Sequence, residues 1–268
     1  SKLEFVHAQR SNFPSNDISY ITAGGVITGA DSYPQDWAIA SGFGRISYDF
    51  KSKYILTANI RSDGSSRFGA DNRWATFPSF AAAWRISEED FLKSNTIVSD
   101  LKLRGSWGVT GNQNIGNYAS YSVYTGGQNY LGLPGFIPNV LGDRNLKWET
   151  TEQLDIGLDV GLFNDRINIL ADYYHKKTSD LLIGVPILHN SGYQTRFTNA
   201  GDIENKGFEF ELTTRNLIGD FKWTTSLNMT FNRNKVLALP DGVDRILGGV
   251  SDLNIAQVGQ PLGVFYGW

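Results

Sequence analysis

The sequence predicts an all-β chain whose strands form a segment of an antiparallel transmembrane β-barrel, with short turns at one end and long loops at the other. Three observations predict it. A two-residue alternation of apolar and polar residues recurs in eight segments, charges are missing from the middle of each apolar face, and the connections alternate in length. Successive side chains of a strand point to opposite sides of its sheet, so a period of two makes one face apolar and the other polar.

The strands are expected at 43–50, 54–62, 76–86, 101–110, 147–162, 167–178, 207–215 and 221–234. The first carries Ile46, Tyr48 and Phe50 on its apolar face, and the second Tyr54, Leu56, Ala58 and Ile60. The third carries Phe80, Ala82, Trp84 and Ile86, and the fourth Leu101, Leu103, Trp107 and Val109. The fifth is the clearest, with Leu154, Ile156, Leu158, Val160 and Leu162 on one side and Gln153, Asp155, Gly157, Asp159 and Gly161 on the other. Ile167, Ile169, Ala171 and Tyr173 follow in the sixth. Phe208, Phe210 and Leu212 mark the seventh, and Phe221, Trp223, Leu227, Met229 and Phe231 the eighth.

Most charges take the opposite parity, among them Arg45, Asp49, Arg61, Arg85, Lys102, Arg104, Asp172, Lys176, Glu209, Glu211 and Lys222. Glu152, Lys177 and Arg233 share the apolar parity but lie outside the apolar stretch of their strands. A basic residue on a lipid-facing wall costs about 2–4 kcal/mol near the bilayer midplane and little near the interfaces. Charges absent from the middles and tolerated nearer the ends are what that cost selects.

Tight turns are expected at Lys51–Lys53, Phe163–Arg166 and Asn216–Asp220, and long segments at 63–75, 111–146, 179–206 and from 235 onward. Between antiparallel neighbours this places all short turns at one end, the layout of bacterial outer-membrane barrels, periplasmic turns below and extracellular loops above. The connection Ser87–Asp100 is larger, and 87–92 reads as a short helix capped by Ser87 with an acid three residues on. Phe50, Tyr54, Phe163, Phe221 and Trp223 lie near the short turns, and Trp74, Trp107 and Trp148 toward the long loops. Amphipathic rings favour the two membrane interfaces.

Eight strands can close only a small barrel. Leu262, Val264, Tyr266 and Trp268 alternate like the start of a ninth strand, although a terminal aromatic also suits the natural end of an outer-membrane protein. The ninth-strand reading is preferred. An open edge in lipid leaves backbone groups unpaired at several kcal/mol each, so further strands are expected to complete the barrel.

The 268 residues carry a formal net charge of −3, with no basic patch to suggest nucleic acid. No Cys is present, which excludes disulfides and thiolate metal sites. No run of 18 apolar residues marks a transmembrane helix, a requirement that barrel strands do not share. The chain opens on Ser1 without an initiator Met or signal peptide, as expected of a processed start or a fragment.

No catalytic constellation stands out. His7, His175 and His189 are far apart in sequence and lack partners at metal-ligand spacing. Asp155/Asp159 and Glu209/Glu211 have the residue types of a glycosidase acid and base, but on alternating strands they simply line one polar face. Gly42-Phe43-Gly44 lacks the third glycine and helix of a nucleotide loop. Neither a cofactor nor a metal site is expected.

Five segments resemble the barrel region of the SusC/RagA family of TonB-dependent outer-membrane transporters of Bacteroidetes. They are YILTANIRSDGSSRFGADNRWATFPSFAAAWRISEEDFL (54–92), LKLRGSWGVTGNQNIGNY (101–118), NLKWETTEQLDIGLDVGLFNDRINILADYYHKKTSDLL (145–182), NAGDIENKGFEFEL (199–212) and VGQPLGVFYGW (258–268). They cover a little under half of the chain, in order; residues 1–42 and 119–144 resemble the family much more weakly. The resemblance implies a 22-stranded barrel with an N-terminal plug. It also implies import of a large nutrient, glycan or peptide, a SusD-type surface lipoprotein as partner, and energy from TonB–ExbB–ExbD. Residues 1–268 are then part of a single barrel domain without the plug, and gating cannot be placed on them.

On this reading Asn59, Arg61, Arg104, Asp155, Asp159, Asp172, Glu209 and Glu211 face the lumen, hydrating its wall, pairing with the plug or meeting cargo. Tyr118, Tyr121, Tyr124 and Tyr130, in the 111–146 loop, are candidates for contact with substrate or partner, because aromatic faces suit sugar rings and peptide side chains. Two other readings stay open at this point: a passive outer-membrane porin, and a soluble β-sandwich carbohydrate-binding module whose apolar faces form a dry core.

Overall fold

The eight alternating segments form one antiparallel sheet. In the computed structural model, which describes residues 2–18, 20–193 and 195–267, its strands are β3 (Ile39–Phe50), β4 (Tyr54–Ser65), β5 (Trp74–Arg85), β6 (Val98–Asn112), β9 (Glu149–Leu162), β10 (Ile167–Ser179), β13 (Asp202–Ile218) and β14 (Lys222–Ala238). The spatial order is β14-β13-β10-β9-β6-β5-β4-β3, so every strand neighbours its predecessor in the wall. Smaller strands flank it: the hairpins β1 (Lys2–Ser11) with β2 (Val26–Asp36), β7 (Val123–Tyr130) with β8 (Leu133–Val140), and β11 (Leu182–Pro186) with β12 (Thr195–Asn199), and a three-stranded sheet of β15 (Arg245–Gly248), β16 (Asn254–Gln257) and β17 (Val264–Phe265).

The short turns gather at one end, stitched by backbone bonds from Arg85 N–H to Lys53 O, Phe163 N–H to Ile97 O and Arg215 N–H to Arg166 O, each 2.7 Å. The β7/β8 and β11/β12 hairpins occupy the long connections at the other end. Pairing puts Trp107, Leu154, His175, Lys206 and Arg233 in one cross-strand row, and Lys102, Asp159, Leu170, Glu211 and Asn228 in a row of the opposite parity. The apolar face is uncovered, with Leu154, Ile156 and Leu158 39%, 49% and 38% exposed; the polar face is open as well at Glu209, Glu211 and Asn228, and is buried only locally, as at Asp159, 9% exposed.

The buried apolar cluster lies elsewhere. The β5–β6 ladder runs from Arg85↔Lys102 to Ser79↔Gly108. Toward the long-loop end beyond it, Phe68, Phe77, Ile115, Ala119, Leu146 and Trp148 pack together. Trp148 meets Phe68 and Phe77 at ring distances of 5.3 and 5.5 Å and donates its indole N–H to Arg73 O at 2.9 Å. Gly111 admits this cluster, because a Cβ there would stand 2.1 Å from the Phe77 ring.

Three local expectations are corrected. Residues 87–92 do not form a Ser-capped helix: a 3-10 turn spans Ile86–Glu88 with no side-chain cap, and Ser87 Oγ instead donates to Asp100 at 3.2 Å. Trp148 belongs to the loop cluster rather than to an interfacial ring, its indole being satisfied inside the protein. The ninth strand does not extend the wall over 262–268 as the alternation suggested. Val264–Phe265 pair with β16, and it is Gly259 and Gln260 that bond the backbone of Val236 on β14 (2.8 and 2.9 Å); Trp268 lies outside the described residues.

Candidate functional site

The polar face of the wall is organised around an ion-pair chain across three strands. Lys102 Nζ lies 2.5 Å from Asp159 Oδ2, Arg104 Nε 2.9 Å from Asp159 Oδ1, and Arg104 Nη2 2.7 Å from Asp172 Oδ2. Arg104 on β6 reaches Asp172 on β10 across β9, and the residue between them in register is Gly157. A Cβ at Gly157 would come 2.3 Å from Asp172 Oδ1 and 2.5 Å from Arg104 Cζ, so the missing side chain is what lets the guanidinium pass. Charge-assisted bonds of this kind are about twice as strong as neutral ones.

Of the eight polar-face candidates, the fold joins three: Arg104, Asp159 and Asp172. Asp155 sits one row away and accepts from Ser106 and Gln153. Glu209 and Glu211 are exposed on β13 and form no ion pair among the described residues. Asn59 and Arg61 stand apart on β4, Asn59 donating to Ser79 at 3.0 Å and Arg61 paired with Asp63 at 2.7 Å.

The four tyrosines divide into two pairs. Tyr118 hydrogen-bonds the Asp36 carboxylate, tying the 113–122 loop to the end of β2. With Asn117 it forms a wall shared by two loop-end cavities. One, of about 810 Å³, also takes in Tyr33, Gln35, Thr125 and Phe197. The other, of about 480 Å³, takes in Trp37, Arg67 and Tyr121. Arg67 Nε donates to Asn117 Oδ1 at 2.9 Å and Asn117 Nδ2 to Gln35 Oε1 at 3.2 Å, so an amide and guanidinium network joins the two. Tyr124 and Tyr130 instead stand exposed along the β7/β8 hairpin, outside both cavities. Gly157, Arg67, Asn117, Gln35 and Asp36 were not singled out from the sequence. Gly157 carried a signal, as the one small residue between Asp155 and Asp159 on a charged face; the others join through contacts of up to 82 residues' separation.

At the turn end Glu89 collects three donors: Tyr54 Oη at 2.7 Å, Lys53 Nζ at 2.9 Å and the Trp84 indole at 3.1 Å. The bonds from Tyr54, Lys53 and Trp84 hold its carboxyl down at about 2. The same carboxylate raises the Lys53 ammonium above its ordinary value. Tyr54 stacks on Phe50 and Trp84, both at 6.4 Å, so Glu89 anchors a row of aromatics at the turn-end rim.

Comparison with known proteins gives concordant results. The family model described as TonB dependent receptor-like, beta-barrel matches residues 4–268. TonB-dependent receptor P3 of Formosa agariphila is 38% identical over 277 residues, covering 99% of this chain and 28% of that protein. TonB-dependent receptor SusC of Bacteroides thetaiotaomicron is 42% identical over 216 residues, covering 77% of this chain and 21% of that protein. The RagAB peptide importer in its closed-closed state superposes with a TM-score of 0.88 at 28% identity, over 98% of this chain and 29% of the matched one. This chain therefore spans less than a third of the length of these relatives.

Proposed function

Because this chain belongs to the TonB-dependent receptor-like β-barrel family, we propose that the receptor containing it actively imports a large nutrient, glycan or peptide, driven by TonB. The chain itself is an outer-membrane barrel segment. The observation that carries the reading is the inverted wall: Leu154, Ile156 and Leu158 uncovered on one face, and Arg104, Asp159 and Asp172 paired on the other. Side chains arranged this way suit hydrocarbon outside and water within, and a β-sandwich would bury the first set in its core.

On this proposal the ion-pair chain stiffens the lumen wall. Glu209 and Glu211, which form no ion pair among the described residues, offer acceptors to a plug or to passing cargo. Tyr33, Tyr118, Asn117 and Gln35 combine aromatic faces with amides at the loop end, a set that suits sugar rings or peptide backbones. A SusD-type lipoprotein would cover that end; the support is the likeness to SusC and to the RagAB peptide importer. TonB–ExbB–ExbD would act through parts of the receptor outside this segment. No enzymatic step is proposed.

The test is nutrient uptake by cells expressing the full receptor with and without TonB. Uptake is expected to fall to background without TonB, and unchanged uptake overturns active import.

A further inference from the structure

Two strands in the loops border a gap with no strand between them. Among the described residues β2 pairs only with β1, and β7 only with β8. The cavity of about 810 Å³ lies between the two hairpins, lined without a break by Ala30 to Gln35 of β2 and by Thr125, Gly126 and Gly127 of β7. A strand that shows consecutive residues of both parities to a cavity turns its backbone edge to it, since a face would show alternate residues only. Every wall of the gap comes from residues 30–197, so it owes nothing to the chain's ends or to the outer strands β3 and β14.

The β2 edge is polar in a defined pattern. The Asp36 N–H donates to Tyr118 Oη at 3.2 Å, on the side of the 113–122 loop, so the backbone there points away from β1. In an antiparallel pair the groups that point outward recur at every second residue. That places the N–H and C=O of Ala30 and Ser32, and the C=O of Pro34, along the gap. None of these three residues makes a backbone bond outside the β1–β2 ladder among the described residues. On the β7 side the register shifts between Thr125 and Gln128, which leaves Gly126 and Gly127 unpaired, with Gly127 at φ +78°. Glycines in a bulge let another backbone come close.

We propose that this gap takes cargo as an extended peptide, which adds a strand to the free edge of β2 and is held by its backbone. The inference rests on the import reading above and names the cargo class. Donors and acceptors along the β2 edge repeat every ~6.8 Å, twice the strand rise, which is the period of an extended peptide. An oligosaccharide has no alternating backbone donor and acceptor to match it. Ala30 to Gln35 span roughly 17–20 Å, enough for five or six residues of cargo. Cargo side chains would lie alternately beside Tyr33 and Gln35 and beside Ser32 and Pro34, so sequence is read loosely while the backbone is read strictly.

The experiment uses purified full-length receptor in detergent, without TonB. It is incubated with a casein digest size-selected for short peptides, and retained peptides are counted by mass spectrometry. Retention of many sequences is expected. Ser32→Pro removes an edge N–H at the parity where Pro34 already sits, so the ladder to β1 is kept. It should bind the retained peptides about tenfold more weakly, the effect of one or two backbone bonds lost, while Ser32→Ala should bind like wild type. A synthetic copy of one retained peptide is then N-methylated on either set of alternate residues. One form should lose about tenfold and the other little; this arm uses wild-type protein, so it holds even where Ser32→Pro unsettles the hairpin. Equal loss in both methylated forms, unchanged binding by Ser32→Pro, maltoheptaose retained in place of peptide, or no peptide retained at all would overturn the proposal. TonB-dependent uptake without peptide retention would sink this site alone, and peptide retention with TonB-independent uptake would sink active import alone.

Discussion

The eight-stranded wall and the loop-end cluster use the same apolar residue types in opposite ways. In the wall, Phe231 is 66% exposed and Ile156 49% exposed, and cohesion within the protein comes from strand ladders and from ion pairs on the other face. At the loop end, Phe68 and Leu146 are fully buried. The difference teaches that apolar content does not say where a core is. Lipid covers the wall's apolar side chains, so they need no protein partners, whereas the loops stand in water and must cover their own.

The comparison is broken most severely by removing the centre of the loop cluster. Phe68→Ala should cost about 3–5 kcal/mol locally, read as protease sensitivity of the 113–148 loop, while Phe231→Ala leaves that sensitivity unchanged. Equal sensitivity in the two variants would deny that the regions differ. Ile156→Arg should come next, destabilising the bilayer-inserted barrel by about 2–4 kcal/mol in denaturant titration. Substitution of its neighbour on the polar face, Asp155→Arg, should cost much less.

The smallest effect concerns the turn-end rim. Glu89 has its carboxyl lowered from 4.5 to about 2, so its contribution is complete above the unfolded value and is lost as pH falls from about 4.5 toward 2. Protection factors for amide exchange around Lys53 and Trp84, taken relative to the intrinsic rate at each pH, should therefore be flat from neutrality down to about pH 5 and fall below it. Glu89→Gln should remove that pH dependence, and a profile identical in both proteins would detach Glu89 from the rim.

Much of the wall was legible because strand alternation is local. Leu154 and Asp155 declare opposite faces whatever lies beside them, and all eight expected strands are present. The hairpins in the loops were not legible: β7 includes Gly126 and Gly127 and β8 includes Pro134 and Pro138, residues that read as turns until the two strands meet. The charged residues that share the apolar parity at the loop end were half visible. Lys177 and Arg233 stood out, but Glu204 and Lys206 fell outside an expected strand starting at 207, whereas β13 begins at Asp202.

By itself the sequence determined which residues share a face, where the wall's strands run and at which end the long loops lie, because a period of two and a turn are properties of neighbours along the chain. Only the tertiary structure decided which base each acid meets, that Gly157 opens the path from Arg104 to Asp172, and that Tyr118 is tied to Asp36. Those contacts depend on strand register and on the packing of distant loops, and a single strand's pattern holds no record of its partner's offset.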